Sequence, residues 1–234
     1  MNKVKLHTLW LLGMLFLMTA CGDDDDYYYP SVKLEFVTVK AGADGLIQSL
    51  LPDKGELLTV AKDRTGSTIS PNSARRVISN YEVNPEDATA VIYSLQSVVA
   101  KGADDPAFEG GLKYDPVDVT SIWLGRDYLN MILNVKININ SGKQHVFGMI
   151  EESVEVEGDE TVVTLSLFHD ANGDEENYNR RAYISVPLTK YVDEENPHQT
   201  IRIKFKYHTT DKNGVVVESS KYCDPGFEYV PGVN

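Results

Sequence analysis

The chain has 234 residues, 42% of them hydrophobic and 24% charged, with 35 acidic against 22 basic side chains. That composition supports a packed core and excludes wholesale disorder. The formal charge of -13 argues against nucleic acid, and against adsorption to anionic headgroups, because both would be repelled.

The first segment has three parts. Lys3 and Lys5 give a positive start, Thr8 to Met18 form a continuous apolar run, and the small residues Thr19 and Ala20 precede Cys21. The run is shorter than the roughly 20 residues that span a bilayer core, and it suits the hydrophobic region of a signal peptide. A buried core helix is the competing reading. It fails because Gly22 and four aspartates, Asp23, Asp24, Asp25 and Asp26, follow at once, and no core accommodates them. Met18-Thr19-Ala20-Cys21 resembles the bacterial lipobox, with Met18 where Leu or Val is usual. The resemblance implies cleavage before Cys21 and acylation of its thiol and new amino group. Two or three acyl tails anchor stably where a single tail is marginal. Ordinary cleavage after Ala20, giving a soluble secreted protein, is the alternative.

Removal of residues 1–20 takes Lys3 and Lys5 with it and leaves 20 basic against 35 acidic side chains. A lipidated Cys21 leaves Cys223 without an intrachain partner, whereas a Cys21–Cys223 bridge would tie the two ends together. Cys223 itself reads either as a reactive thiol or as a buried small hydrophobe. Consecutive carboxylates on a flexible chain have no preorganised calcium cage, so Asp23 to Asp26 read as a solvated, self-repelling spacer. An acidic run directly after a lipidated cysteine is also similar to the export signal of Bacteroidota lipoproteins. That similarity implies a lipid anchor in the outer membrane with the protein facing the exterior.

After Pro30 apolar residues recur with period two, and no stretch carries a helical stripe over three turns. Val32, Leu34 and Phe36 alternate with Lys33 and Glu35. Further strands are expected at 57–62, 75–83, 90–99 and 117–124. From Leu129 to Asn140, residues Leu129, Met131, Leu133, Val135, Ile137 and Ile139 share one face. The asparagines 130, 134, 138 and 140 and Lys136 share the other, with Ile132 out of pattern. Strands at 145–152, 161–169, 180–188, Ile201 to Tyr207 and 215–220 complete the series. Turn signals such as Ser141-Gly142, Gly158-Asp159, Asn172-Gly173 and Asn213-Gly214 separate them.

One-sided alternation implies antiparallel sheets with one solvated face, hence an all-β sandwich or barrel. A Gly-, Pro- and Asp-rich break within Lys101 to Pro116 places a linker at 104–116. The resulting order is a signal peptide (1–20), an acylated acidic tether (21–30), a small barrel (31–103), the linker, and an antiparallel β-sandwich (117–234).

Arg76-Val77-Ile78-Ser79-Asn80-Tyr81, Ile122-Trp123 with Asp127-Tyr128-Leu129-Asn130, and Val163 to Asp170 resemble the NigD-like lipoproteins of Bacteroidota. The resemblance runs through the whole mature chain. It implies an OB-like N-terminal barrel followed by a C-terminal β-sandwich. It says little of activity beyond the family's association with a bacteriocin locus, from which an immunity role is suggested.

No motif for nucleophilic, zinc or P-loop chemistry occurs, so neither a catalytic residue nor a cofactor is assigned. His145, His169, His198 and His208 are not spaced as local zinc pairs. Asp170-Ala171-Asn172-Gly173-Asp174 begins like an EF-hand loop but has Arg181 where the bidentate glutamate belongs, so it reads as an acidic hairpin tip. Trp123, the only tryptophan after Cys21, lies near Tyr128 across a turn expected at Gly125-Arg126. The pair could stack on a sugar ring or anchor a partner; a lone strand tryptophan is otherwise a core residue. Arg202, Lys204, Lys206 and His208 form either a docking stripe or a solvated face.

The reading is a surface-displayed, membrane-anchored binding protein with an envelope protein as partner. A glycan-binding protein and a hydrolase with dispersed carboxylates are the alternatives. Cys21→Ser should release the protein from membranes into the soluble fraction after cell lysis and ultracentrifugation; retention in the pellet would refute the anchor.

Overall fold

The computed structural model describes residues 32–103, 111–157, 160–174 and 177–232. The expected signal peptide, Cys21 and Asp23 to Asp26 lie outside the described residues. Among the described residues there are twelve strands: β1 (Val32–Ala41), β2 (Ile47–Pro52), β3 (Leu58–Asp63), β4 (Ala74–Asn84), β5 (Thr89–Ser97), β6 (Asp118–Gly125), β7 (Tyr128–Ile137), β8 (Val146–Glu157), β9 (Glu160–Asp170), β10 (Tyr178–Pro187), β11 (Ile201–Thr210) and β12 (Val216–Tyr229). The protein is all-β, an OB-like barrel followed by a β-sandwich.

The first five strands close a barrel in the order β1-β2-β3-β5-β4. Closure leaves no unpaired edge, and it uses a parallel β3–β5 pair among otherwise antiparallel ones. The barrel core is drawn from Val37 and Val39 of β1, Leu50, Val77, Tyr81 and Ile92. The alternating triplet at the start of β1 therefore points the other way. Val32 and Leu34 are exposed, and Phe36 is buried on the outside of the barrel, where it meets Trp123 and Tyr183 of the sandwich. Inside the barrel, Tyr81 is fully buried and donates its hydroxyl to Glu35 at 2.6 Å. Burial, reinforced by that carboxylate, holds its phenol far above the ordinary range.

The sandwich packs β10-β7-β6 against β12-β11-β9-β8. The predicted face of β7 is the core face: Leu129, Met131 and Leu133 have no exposed surface, and they meet Leu165, Ile203 and Phe205 from the facing sheet. Here too one pair is parallel, β9 with β11, because the intervening β10 crosses to the opposite sheet. The Trp123 hairpin turns at Arg126-Asp127, one residue later than expected, with Arg126 taking the positive φ of 49° and Gly125 ending β6.

The chain leaving the barrel adheres to the sandwich at once. Val99 N–H donates to the Tyr183 carbonyl and the Val99 carbonyl accepts from Ser185 N–H, which covers the free edge of β10. Further on, Asp115 N–H donates to the His169 carbonyl and His169 N–H to the Lys113 carbonyl, and the His169 ring bonds the Asp115 carbonyl at 3.0 Å. His145 lies 2.9 Å from His169 on the other side, so two histidines distant in sequence do converge. They bond each other, and among the described residues no group of three His, Cys, Asp or Glu side chains could hold a metal ion. Asp170 to Asp174 form a tight turn, Asn172 N–H donating to the Asp170 carboxylate at 2.7 Å and Asp174 accepting from Asn138 N–H at 2.8 Å.

Burial lowers the His169 pKa below 6.5. The unfolded chain therefore takes up its proton first as pH falls, so stability is fully present above 6.5 and is lost as pH drops from 6.5 toward the folded value. Urea unfolding between neutral pH and pH 5 should show this loss, with a flatter pH profile for His169→Asn.

Candidate binding cleft between barrel and sandwich

The outer face of the β10-β7-β6 sheet is laid out in cross-strand rows. Gly125 faces Tyr128 and Pro187, Trp123 faces Asn130 and Ser185, and Ser121 faces Ile132 and Tyr183; beyond them Asn134 pairs with Arg181. One-sided alternation predicts that this face is solvated. Asn130 and Ser185 instead have no exposed surface, because the barrel lies on them.

Their burial is made possible by Arg76, itself 4% exposed. Its guanidinium reaches Asp53 at 2.5 Å, Asn130 Oδ1 at 3.0 Å, Ser185 Oγ at 3.1 Å and Thr38 Oγ1 at 3.4 Å. Asn130 Nδ2 donates to the second Asp53 oxygen at 2.8 Å, and Ser185 Oγ donates to Asn130 Oδ1 at 2.7 Å. A buried ion pair is tolerated only when its remaining lone pairs and protons are answered, and here three strands and a loop from both domains supply the answers. The guanidinium also sits over the Tyr128 ring at 4.2 Å and the Phe36 ring at 5.7 Å. Beside it Arg126 donates to the carbonyls of Pro52 and Gly55. Gly125 is required for the approach: a Cβ there would stand 2.1 Å from Asp53 Oδ2 and 2.5 Å from Asn130 Nδ2.

Beside the network the two domains leave a cavity of about 390 Å³. Phe36 and Ile78 from the barrel and Trp123, Ile132 and Tyr183 from the sandwich form its apolar walls. The Phe36 ring is edge-on to Trp123 at 5.3 Å and to Tyr183 at 6.2 Å, the arrangement aromatic quadrupoles favour. Lys54, Gln96 and Arg181, all exposed, stand at the mouth, and half-buried Glu35 of β1 completes the lining from the barrel side. The volume and the mixture of apolar wall and few polar groups are those of small-molecule and side-chain pockets.

The pair singled out from sequence is thus divided. Trp123 is half-buried and lines the cleft, outside the sandwich core, while Tyr128 forms a wall of the Arg76 site. Two cations of the stripe on β11 are paired within the protein, Arg202 with Glu160 at 2.7 Å and Lys206 with Glu152 at 2.8 Å; His208 packs against the Tyr114 ring, and Lys204 is half-buried. Cys223 is half-buried, its thiol donates to the Phe205 carbonyl, and burial raises its pKa. Phe36, Ile78, Arg181 and Tyr183 were not singled out from sequence. Ile132, the one apolar residue on a polar face, was the signal that this face meets something other than water.

Comparisons with known proteins agree with this architecture. A family model for the NigD-like N-terminal OB domain matches residues 36–98, and one for the NigD-like C-terminal beta sandwich domain matches residues 100–219. A solved NigD-like immunity protein from Bacteroides caccae is 68% identical, covering 88% of this chain and 100% of its own, with a TM-score of 0.76. A protein of unknown function from Bacteroides vulgatus is 17% identical over 87% of this chain and 96% of its own, with a TM-score of 0.59. It shares the fold. No curated protein matches the chain.

Arg76→Met strands the Asp53 carboxylate, and loss of one partner from a buried pair costs about 3–5 kcal/mol. Urea unfolding should show that loss for Arg76→Met and a substantial recovery in Arg76→Met/Asp53→Leu. Gly125→Ala should destabilise the chain as well, by driving Asp53 away from Asn130.

Proposed function

Because the chain belongs to the NigD-like family, matched over both of its domains, we propose that it is an acylated lipoprotein of the cell surface that works by binding an envelope or protein partner in the barrel–sandwich cleft, without catalysis. The cleft carries this reading: an aromatic-walled cavity of about 390 Å³, held open between two domains that a buried ion pair fixes together. Its two carboxylates are committed to structure, Asp53 to Arg76 and Asn130, and Glu35 to the Tyr81 hydroxyl. That commitment favours capture over hydrolysis, which needs carboxyl groups free to exchange protons or attack.

The anchor and the outward address rest on Cys21 and on Asp23 to Asp26. The NigD-like immunity protein of 68% identity favours a protective role in this chain too, and capture of an attacking protein at the envelope is how a tethered binder would exercise it. A glycan is the second reading, favoured by the half-exposed Trp123 in the cleft wall, since indole faces stack on sugar rings.

Protease treatment of intact cells should remove the protein. A photo-cross-linking residue at Gln96, on the cleft mouth, should then capture one specific neighbour on intact cells. The same residue at exposed Lys212, on the β11–β12 turn, should not. Equal labelling from both positions, or none from Gln96, would refute the cleft as the binding site.

A further inference from the structure

Two exposed cations, Arg181 and Lys54, line the cleft beside Gln96, whose amide both donates and accepts. The indole N–H of Trp123 and the guanidinium of Arg181 only donate, as does the ammonium of Lys54. Among the described residues none of these three has a hydrogen-bond or ion-pair partner, and neither does the Tyr183 hydroxyl. Three other cations of the chain are answered, Lys190 by Glu151 at 2.7 Å, Arg202 by Glu160 at 2.7 Å and Lys206 by Glu152 at 2.8 Å, whereas Lys33 and Lys62, exposed away from the cleft, are as free as Lys54. The nearby carboxylates do not serve Arg181 or Lys54, since Asp53 is neutralised by Arg76 and Glu35 is bonded to Tyr81 inside the barrel. So a chain with 35 acidic side chains presents, at a cavity walled by Phe36, Trp123 and Tyr183, two exposed cations without a partner among the described residues, an indole N–H that can only donate and a Tyr183 hydroxyl that can do either.

We propose that the cleft binds an anion carried on an apolar body, an alkyl or aryl carboxylate, either as a free small molecule or as a group displayed by a partner. The body lies against Phe36, Trp123, Ile132 and Tyr183, and the carboxylate meets Arg181 and Lys54 at the mouth. This rests on the reading of the cleft as the binding site and adds the chemistry of what it takes. A neutral sugar fits less well, because it brings no charge to a mouth whose exposed charged groups, Arg181 and Lys54, are both cationic.

Octanoate, octanamide and octylamine share one body and differ in charge, so they isolate the effect. Calorimetric titration of the full chain carrying Cys21→Ser should give affinity in the order octanoate, octanamide, octylamine. Arg181→Gln and Lys54→Gln should each weaken octanoate by about two- to fivefold, the range of an exposed charge pair, and leave octanamide unchanged. Both side chains are exposed and unpaired among the described residues, so the urea midpoint should not move. Octanamide or octylamine binding as tightly as octanoate, or octanoate indifferent to Arg181→Gln, would overturn the assignment of an anion while leaving the cleft as a binding site. No binding by any of the three, or tighter binding of a neutral oligosaccharide, would also overturn it. Failure of the cleft itself is read separately, from the Gln96 cross-link.

Discussion

A guanidinium withdrawn from water has to be met by a carboxylate and by neutral acceptors in fixed directions, and the demands of Arg76 determine how the two domains of this protein sit. Its partners come from both: Thr38 and Asp53 from the barrel, Asn130 and Ser185 from the sandwich. An apolar contact of the same area would tolerate sliding, because dispersion and desolvation are nearly indifferent to small rotations. A network in which Asn130 must accept from Arg76 and Ser185 and donate to Asp53 is satisfied in one arrangement. Specificity of orientation is therefore the best physical account of why the interface is polar at its centre, since a buried ion pair alone is weak evidence for stability.

That arrangement also explains the cleft. The network draws barrel and sandwich together along the rows of Gly125 and Trp123, and the cavity lies directly beside it, lined by Asp53 and Gly125 as well as by Ile132 and Tyr183. Trp123, Ile132 and Tyr183 are left half-covered there. Phe36 is held edge-on between Trp123 and Tyr183, so the walls are set before anything enters. A preformed wall spares a ligand the cost of ordering side chains, about 0.5–1.5 kcal/mol for each one immobilised. The ion pair that fixes the domains is thus also what keeps the pocket in shape.

Much of this was legible in the sequence, and what was not has a common cause. Period two is local, so the strands from β3 to β12 and the core face of β7 could be read from Leu129, Met131 and Leu133 alone. Alternation reports which residues share a face and is silent on what covers it. Val32, Leu34 and Phe36 do share a face, yet it lies outside the barrel; Asn130 does oppose the core, yet it is fully buried. β2 (Ile47–Pro52) escaped because its apolar residues Ile47, Leu50 and Leu51 do not alternate cleanly. Asp53 and Arg76 lie 23 residues apart with no motif between them, and nothing short of the closed barrel brings them together. The resemblance carried what periodicity could not: Arg76 opens one of its motifs and Asn130 closes another, and the two meet in the interface.

The exposed charges of the cleft, Arg181 and Lys54, are opposite in sign to the chain as a whole, which constrains how an anion would be captured. Thirty-five acidic side chains repel an approaching anion at long range, so association is not steered in the way that speeds oppositely charged partners. Screening limits that repulsion to about 8 Å at physiological ionic strength, and inside that distance the local pair Arg181 and Lys54 dominates. An anion with an apolar body would add burial against Trp123 and Tyr183 to the attraction of the mouth. A small ion without such a body would have only the attraction of exposed cations to set against the repulsion. Discrimination then lies in the coupling of apolar wall to cationic mouth, and raising salt should weaken the distant repulsion more than the close contacts.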